Sequence, residues 1–134
     1  MEDNKIIYFA TKALIVNKDK FLIMHKSNIK ENIWELPGGR MEFGESAEET
    51  LKREVLEETG LLVYPGKIID TWDYIGKDYQ ITGIIYLCKV DKIDIKLSDE
   101  HDEYKWIDLN KESISHMHEV YKVRMKNWDY QNLI

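Results

Sequence analysis

The chain of 134 residues is expected to fold as one α+β domain spanning 1–134, a mixed β-sheet with helices on its faces. Three observations carry this expectation. Short apolar, β-branched runs separated by turn residues recur along most of the chain. One long helical pattern interrupts them in the middle, and a second closes the chain. Hydrophobic residues make up 43% of the sequence and prolines number only two, so there is material for a core and little sign of disorder.

Ile6 to Val16 is apolar enough for a first strand, and Phe21 to His25 for a second, with Asn17-Lys18-Asp19-Lys20 as the turn between them. Ser27 to Asn32 is a polar loop before Trp34. Leu36-Pro37-Gly38-Gly39 cannot be helix and reads as a strand end followed by a glycine turn. Ser46 to Thr59 is the long helix: Ser46 is a good N-cap, Glu49 completes a capping box, and Gly60 stands where a C-cap glycine belongs. Leu61 to Trp72 is a strand bent near Pro65-Gly66. Gly76-Lys77-Asp78 is a turn before a strand from Gln80 to Val90. Asp91 to Lys96 is expected as a short edge strand, Lys105 to Asp108 as a short extended piece, Lys111 to Ser115 as a helical turn, and Glu119 to Trp128 as the C-terminal helix.

The central helix carries acids where a packing helix should not have them. At ~100° per residue, Ala47, Leu51 and Val55 form the stripe that meets the core. Glu54 and Glu58 fall inside or beside that stripe, and Glu57 lies at its edge. Carboxylates are almost never buried unless paired or bound to a cation. A solvated acidic face with Arg53–Glu57 and Lys52–Glu48 pairs explains Glu48 and Glu49, but not acids on the apolar side. The spacing i, i+3, i+4 of Glu54, Glu57 and Glu58 puts all three on one face that needs a positive partner. The donors are all oxygens, with no Cys or His among them, so a hard cation such as Mg²⁺ or Mn²⁺ suits them better than Zn²⁺ or copper.

Residues 39–61, GRMEFGESAEETLKREVLEETGL, resemble the Nudix box, G-x5-E-x7-R-E-U-x-E-E-x-G-U with U a bulky apolar residue. Gly39, Glu45, Arg53, Glu54, Val55, Glu57, Glu58, Gly60 and Leu61 meet every specified position. The approach Trp34-Glu35-Leu36-Pro37-Gly38-Gly39 is similar as well. The resemblance implies an α/β/α sandwich and a hydrolase that cleaves a nucleoside diphosphate linked to another moiety with divalent cations, Mg²⁺ or Mn²⁺. It implies Glu54, Glu57 and Glu58 as metal carboxylates, the Gly38 carbonyl as a further ligand, and Arg53 as the residue that holds Glu45 or a neighbouring carboxylate in place. Glu54 becomes a candidate for orienting or deprotonating the water. Bound Mg²⁺ would neutralise the diphosphate and lower the pKa of a coordinated water.

Outside the box, Ser98 to Glu103 is an acidic stretch read as a loop; Glu100 or Glu103 is expected to add a metal ligand or the base, Glu100 being preferred. Arg40, Trp34, Trp72 and Tyr74 are candidate substrate contacts, the aromatics by base stacking; Tyr79 lies in the same region. Tyr8, Tyr86 and Cys88 read as structural. His116 and His118, spaced i, i+2, do not face each other on a helix. His25 ends a strand and can face either side.

The formal charge of −6 and the lack of a basic stripe argue against direct nucleic-acid binding. One cysteine excludes an internal disulfide framework, no apolar run approaches ~18 residues, and the N-terminal Met-Glu-Asp-Asn-Lys lacks a signal-peptide pattern. A cytoplasmic protein acting on a small nucleotide is therefore expected, and the residues do not decide between monomer and homodimer. A nucleoside triphosphate or dinucleoside polyphosphate is favoured over ADP-ribose or a nucleotide sugar. The alternative is a Nudix-like domain that senses a nucleotide without turning it over; the intact box and the absence of room for a DNA-binding domain favour the enzyme.

Overall fold

The computed structural model describes residues 4–134; residues 1–3, part of the stretch read as lacking a signal peptide, lie outside the described residues. In chain order the elements are β1 (Ile6–Asn17), β2 (Lys20–Lys26), β3 (Gly38–Arg40), α1 (Ala47–Thr59), β4 (Val63–Ile75), β5 (Tyr79–Val90), β6 (His101–Asp108) and α2 (Glu119–Met125). Short 3-10 turns follow at Lys111–Ile114 and Tyr130–Asn132. The strands join in the order β4-β5-β1-β2-β6, with β3 added beside β1. β1 and β5 run parallel from Ile6↔Tyr79 to Ile15↔Cys88, and the other pairings are antiparallel.

The central strand explains the layers. Successive side chains of β1 point to opposite faces. Ala13 and Ile15 go to one face, where Leu51 and Val55 of α1 pack with Leu22, Val63 and Cys88. Ala10 and Leu14 go to the other, where Tyr121 and Met125 of α2 pack with Phe21, Trp72 and Ile85. The result is the expected α+β sandwich, with a mixed sheet between two helices. The β1–β2 turn uses Lys18 and Asp19 at positive φ (52° and 65°), the two-residue hairpin turn that matches strand twist.

The N-terminus of α1 is as read: the Ser46 side chain accepts from Glu49 N–H, the Glu49 carboxylate accepts from Ser46 N–H, and Gly60 closes the helix at φ 75°. Four expectations need correction. Asp91–Lys96 is not a strand; its last residue is tied to the end of α1, Lys96 N–H donating to Thr59 O, and just beyond it Ser98 N–H donates to Glu58 O. β6 begins at His101, so Asp102 and Glu103 lie on a strand and not on a loop. Gly38–Arg40 pairs with β1 as a short strand, where only a turn was expected. The C-terminal helix ends at Met125; Trp128 lies beyond it, its indole N–H donating to Asp70 at 2.8 Å. Among the described residues no helix is long and apolar enough to cross a membrane.

Candidate active site

The site is built where α1 crosses the glycine strand. Gly38 pairs with Lys12 and Gly39 with Thr11 of β1. The Gly38 N–H donates to Glu58 Oε1 at 2.9 Å. The Glu54 carboxylate lies over Gly39 so closely that a Cβ there would sit 2.5 Å from each of its oxygens. Small backbone at these two positions is therefore what lets the helix's acids approach the sheet.

The three helix acids are not equivalent. Glu58 is 8% exposed and the Glu54 side chain 19%, whereas the Glu57 side chain is 60% exposed. The expectation of three acids together on a half-buried face holds for Glu54 and Glu58 only. Glu57 stands at the rim, turned toward Arg53 Nη1 at 3.1 Å. Glu100 lines the cleft beside Glu54 and Glu58, while Glu103 pairs with His25 along β6 and does not reach it. Burial pushes the Glu58 carboxyl up to about 7, against the pull of Lys12 and the Gly38 N–H. Burial also raises Glu54, assisted by the charges of Glu57 and Glu100 and opposed mainly by Arg53.

Among the described residues, no three carboxylate or imidazole groups converge into a ready cation cage. The donor set nonetheless suits a hard cation: two desolvated carboxylates, a third at the rim, and the Gly38 carbonyl beside them, all oxygen. A cation would relieve the charge that burial now penalises.

Arg53 organises the helix's outer side. Its Nε donates to Glu45 Oε2 at 2.6 Å and its Nη2 to Glu45 Oε1 at 3.0 Å, a bidentate pair. The same Nη2 donates to Arg40 O at 3.0 Å, and Nη1 lies 3.6 Å from Glu54 Oε1. The hydrogen bond from Arg53 brings the Glu45 carboxyl down to about 2. Lysine cannot reproduce this planar fork. Arg53→Lys is expected to lower turnover by about 10–100-fold with the fold intact; steady-state kinetics with circular dichroism check it, and an unchanged kcat contradicts it.

The acidic cleft, about 330 Å³, opens into an aromatic slot of about 220 Å³. Ligand clefts usually span ~300–1,000 Å³, so the two joined suit a nucleotide better than either alone. Trp72, Tyr74, Tyr79, Ile81, His118 and Tyr121 line the slot, so the candidates Trp72 and Tyr74 do come together. Arg40 lines the cleft and lies over the Tyr8 ring at 4.1 Å. Trp34 does not join them: it is a core residue, its N–H donating to Asn32 at 2.6 Å and its ring against His25. His25 itself is occupied by Asp102 and Glu31 O. His118 caps α2, its Nδ1 accepting from Val120 N–H, and so reaches the slot although His116 does not.

Sequence reasoning missed the charged groups shared by both cavities, Lys12, Lys26 and Glu35. Lys12 is 7% exposed, its ammonium 3.3 Å from Gly38 O and 3.7 Å from Glu35 Oε1. The other Glu35 oxygen accepts from His101 Nε2 at 2.6 Å. Burial alone would raise the Glu35 carboxyl, but Lys12 and the His101 hydrogen bond outweigh it and hold it at about 2. A signal for Lys12 was present: it shares the inward face of β1 with Ala10 and Leu14, where a charge is out of place. Lys26, at the exposed end of β2, gave none.

A sheet between two helices, with a glycine strand carrying the acids of the first helix, defines a class that comparison with known proteins identifies. A model of the NUDIX domain matches residues 9–128, and the chain belongs to this family. It is 32% identical over 100 residues to an ADP-ribose pyrophosphatase of Methanocaldococcus jannaschii, covering 72% of this chain and 59% of that protein. It is 35% identical over 92 residues to an 8-oxo-dGTP diphosphatase of Buchnera aphidicola, covering 56% of this chain and 73% of that protein. The crystal structure of a MutT protein from Methanosarcina mazei superposes with a TM-score of 0.82 at 32% identity, covering 96% of both chains.

Proposed function

We propose that the protein is a divalent-metal-dependent hydrolase that cleaves the diphosphate linkage of a nucleoside diphosphate derivative. The observation that carries this is the placement of the desolvated Glu54 and Glu58 carboxylates on the Gly38-Gly39 backbone, open to an aromatic slot. Glu54, Glu58 and the Gly38 carbonyl, with Glu57 from the rim, would hold Mg²⁺ or Mn²⁺. Such a cation supplies charge neutralisation for the diphosphate and a lowered pKa for a coordinated water. The chain's own residues do the rest. Trp72, Tyr74 and Tyr79 offer faces for a base. Lys26 and Arg40, on the cleft wall, meet the phosphates. Arg53 fixes Glu45 and sets a positive charge beside Glu54. Glu54 orients the attacking water and accepts its proton, with Glu100 as a cleft-facing acid from outside the helix.

A nucleoside triphosphate or a dinucleoside polyphosphate is the favoured substrate, since the slot takes a single base and the polar cleft a chain of phosphates. Names of the relatives support a nucleotide substrate but differ on which: ADP-ribose for one and 8-oxo-dGTP for another. The test is product release from ordinary and oxidised nucleoside triphosphates, dinucleoside polyphosphates, ADP-ribose and nucleotide sugars with Mg²⁺. Cleavage concentrated in the first two classes is expected. Ligand-induced thermal shifts without turnover of any compound would favour the nucleotide-sensing alternative.

A further inference from the structure

Lys12 poses a physical problem that the hydrolase reading does not use. Its ammonium is buried between the acidic cleft and the aromatic slot, against the Trp72 ring and the carbonyl of Gly38. The N–H of the same residue donates to Glu58. A fixed positive charge thus sits one peptide unit from the carboxylate, and in contact with the carbonyl, assigned to a divalent cation. Unbalanced, it would repel that cation strongly, since charges in a partly buried site are poorly screened.

The balance comes from Glu35. Its Oε1 lies 3.7 Å from Lys12 Nζ. Its other oxygen is taken by the buried His101 ring at 2.6 Å. Its backbone is pinned to β2 by reciprocal 2.9 Å hydrogen bonds with Met24. The carboxylate therefore lines the cleft wall with both oxygens already engaged, by Lys12 and by His101.

We infer that Glu35 is a positioning residue of the cation site, whose carboxylate neutralises the buried Lys12 ammonium so that Lys12 can hold the Gly38 peptide without expelling the metal. This rests on the proposed cation role of the cleft. Glu35→Gln leaves Lys12 with Glu58, itself a proposed cation ligand, as the acid that must balance it, and the cation is the species that feels it.

The test is Mn²⁺ titration of the metal-free protein followed by electron paramagnetic resonance, with wild type, Glu35→Gln and the double variant Lys12→Met/Glu35→Gln. Glu35→Gln is expected to weaken Mn²⁺ binding by about tenfold or more. The double variant, which removes both buried charges together, is expected to recover most of that loss. In kinetics, Glu35→Gln should raise the Mg²⁺ concentration needed for half-maximal rate by a larger factor than it changes kcat at saturating Mg²⁺ or the nucleotide KM. A merely structural role would not produce that split, nor would removal of a second charge repair it. Unchanged Mn²⁺ affinity in Glu35→Gln, or a double variant as weak as the single one, overturns the inference alone. Failure of the wild type to bind Mn²⁺ overturns it together with the cation reading of the cleft.

Discussion

Glu58→Gln makes the metal-free protein more stable at pH 8 while its Mg²⁺-dependent turnover falls by more than about a hundredfold. The two effects have one cause. In the folded chain the Glu58 carboxyl is pushed up to about 7 by burial, against an ordinary value of 4.5. Between those pH values the unfolded chain has released the proton and the folded chain still holds it. This group's contribution to stability therefore falls as pH rises from 4.5 through 7, and the full cost is present above 7. A shift of that size corresponds to roughly 3 kcal/mol, an upper bound on what the neutral amide recovers. The amide oxygen keeps the hydrogen bond from Gly38 N–H. Thermal melts in EDTA at pH 5 and pH 8 check this: the variant's advantage should be small at pH 5 and grow toward pH 8. A large loss of stability at pH 8, or wild-type turnover, would mean that Glu58 is a structural acid.

Gly38→Ala is expected to cost more than about 3 kcal/mol and to lower the melting temperature by roughly 10 °C or more. Gly38 has φ 137°, a region that side-chain-bearing residues rarely enter, and an added methyl would be driven into the Thr11 carbonyl oxygen and within 2.8 Å of Lys12 Cα. Both obstacles are backbone of the central strand, so nothing flexible can yield. The same substitution would shift the carbonyl proposed to face the cation, so residual folded protein should be inactive as well. A melting temperature within a few degrees of wild type would show that β3 is not clamped to β1 as described.

How much of this was legible in the sequence follows from what each signal depends on. The helix from Ala47 to Thr59 was readable at both ends because its caps are local: Ser46, Glu49 and Gly60 act within one turn of the backbone they satisfy. The inward acids were readable because helical periodicity fixes direction, which located Glu54 and Glu58. That periodicity could not place Glu57, since a residue at the edge of a stripe turns inward or outward according to its neighbours. Here Arg53 draws it outward. The Asp91–Lys96 segment failed for a related reason: its end is tied at Lys96 to the Thr59 carbonyl of α1, a partner set by tertiary packing and invisible to local propensity. Trp34 was misplaced because its aromatic character marks core and binding residues alike. Glu35, His101 and Lys12, which the chain brings together from three strand regions, could be joined only through the pairing of β1, β2 and β6.

The central claim is that the half-buried acids of α1 exist to hold a divalent cation. The most direct measurement is Mn²⁺ binding to metal-free wild type and to Glu58→Gln at pH 8, followed by electron paramagnetic resonance, with Mg²⁺ as competitor. Wild type is expected to bind Mn²⁺ in competition with Mg²⁺, and Glu58→Gln to bind at least about tenfold more weakly. Equal binding by the two proteins, or no binding by the wild type, would contradict the claim.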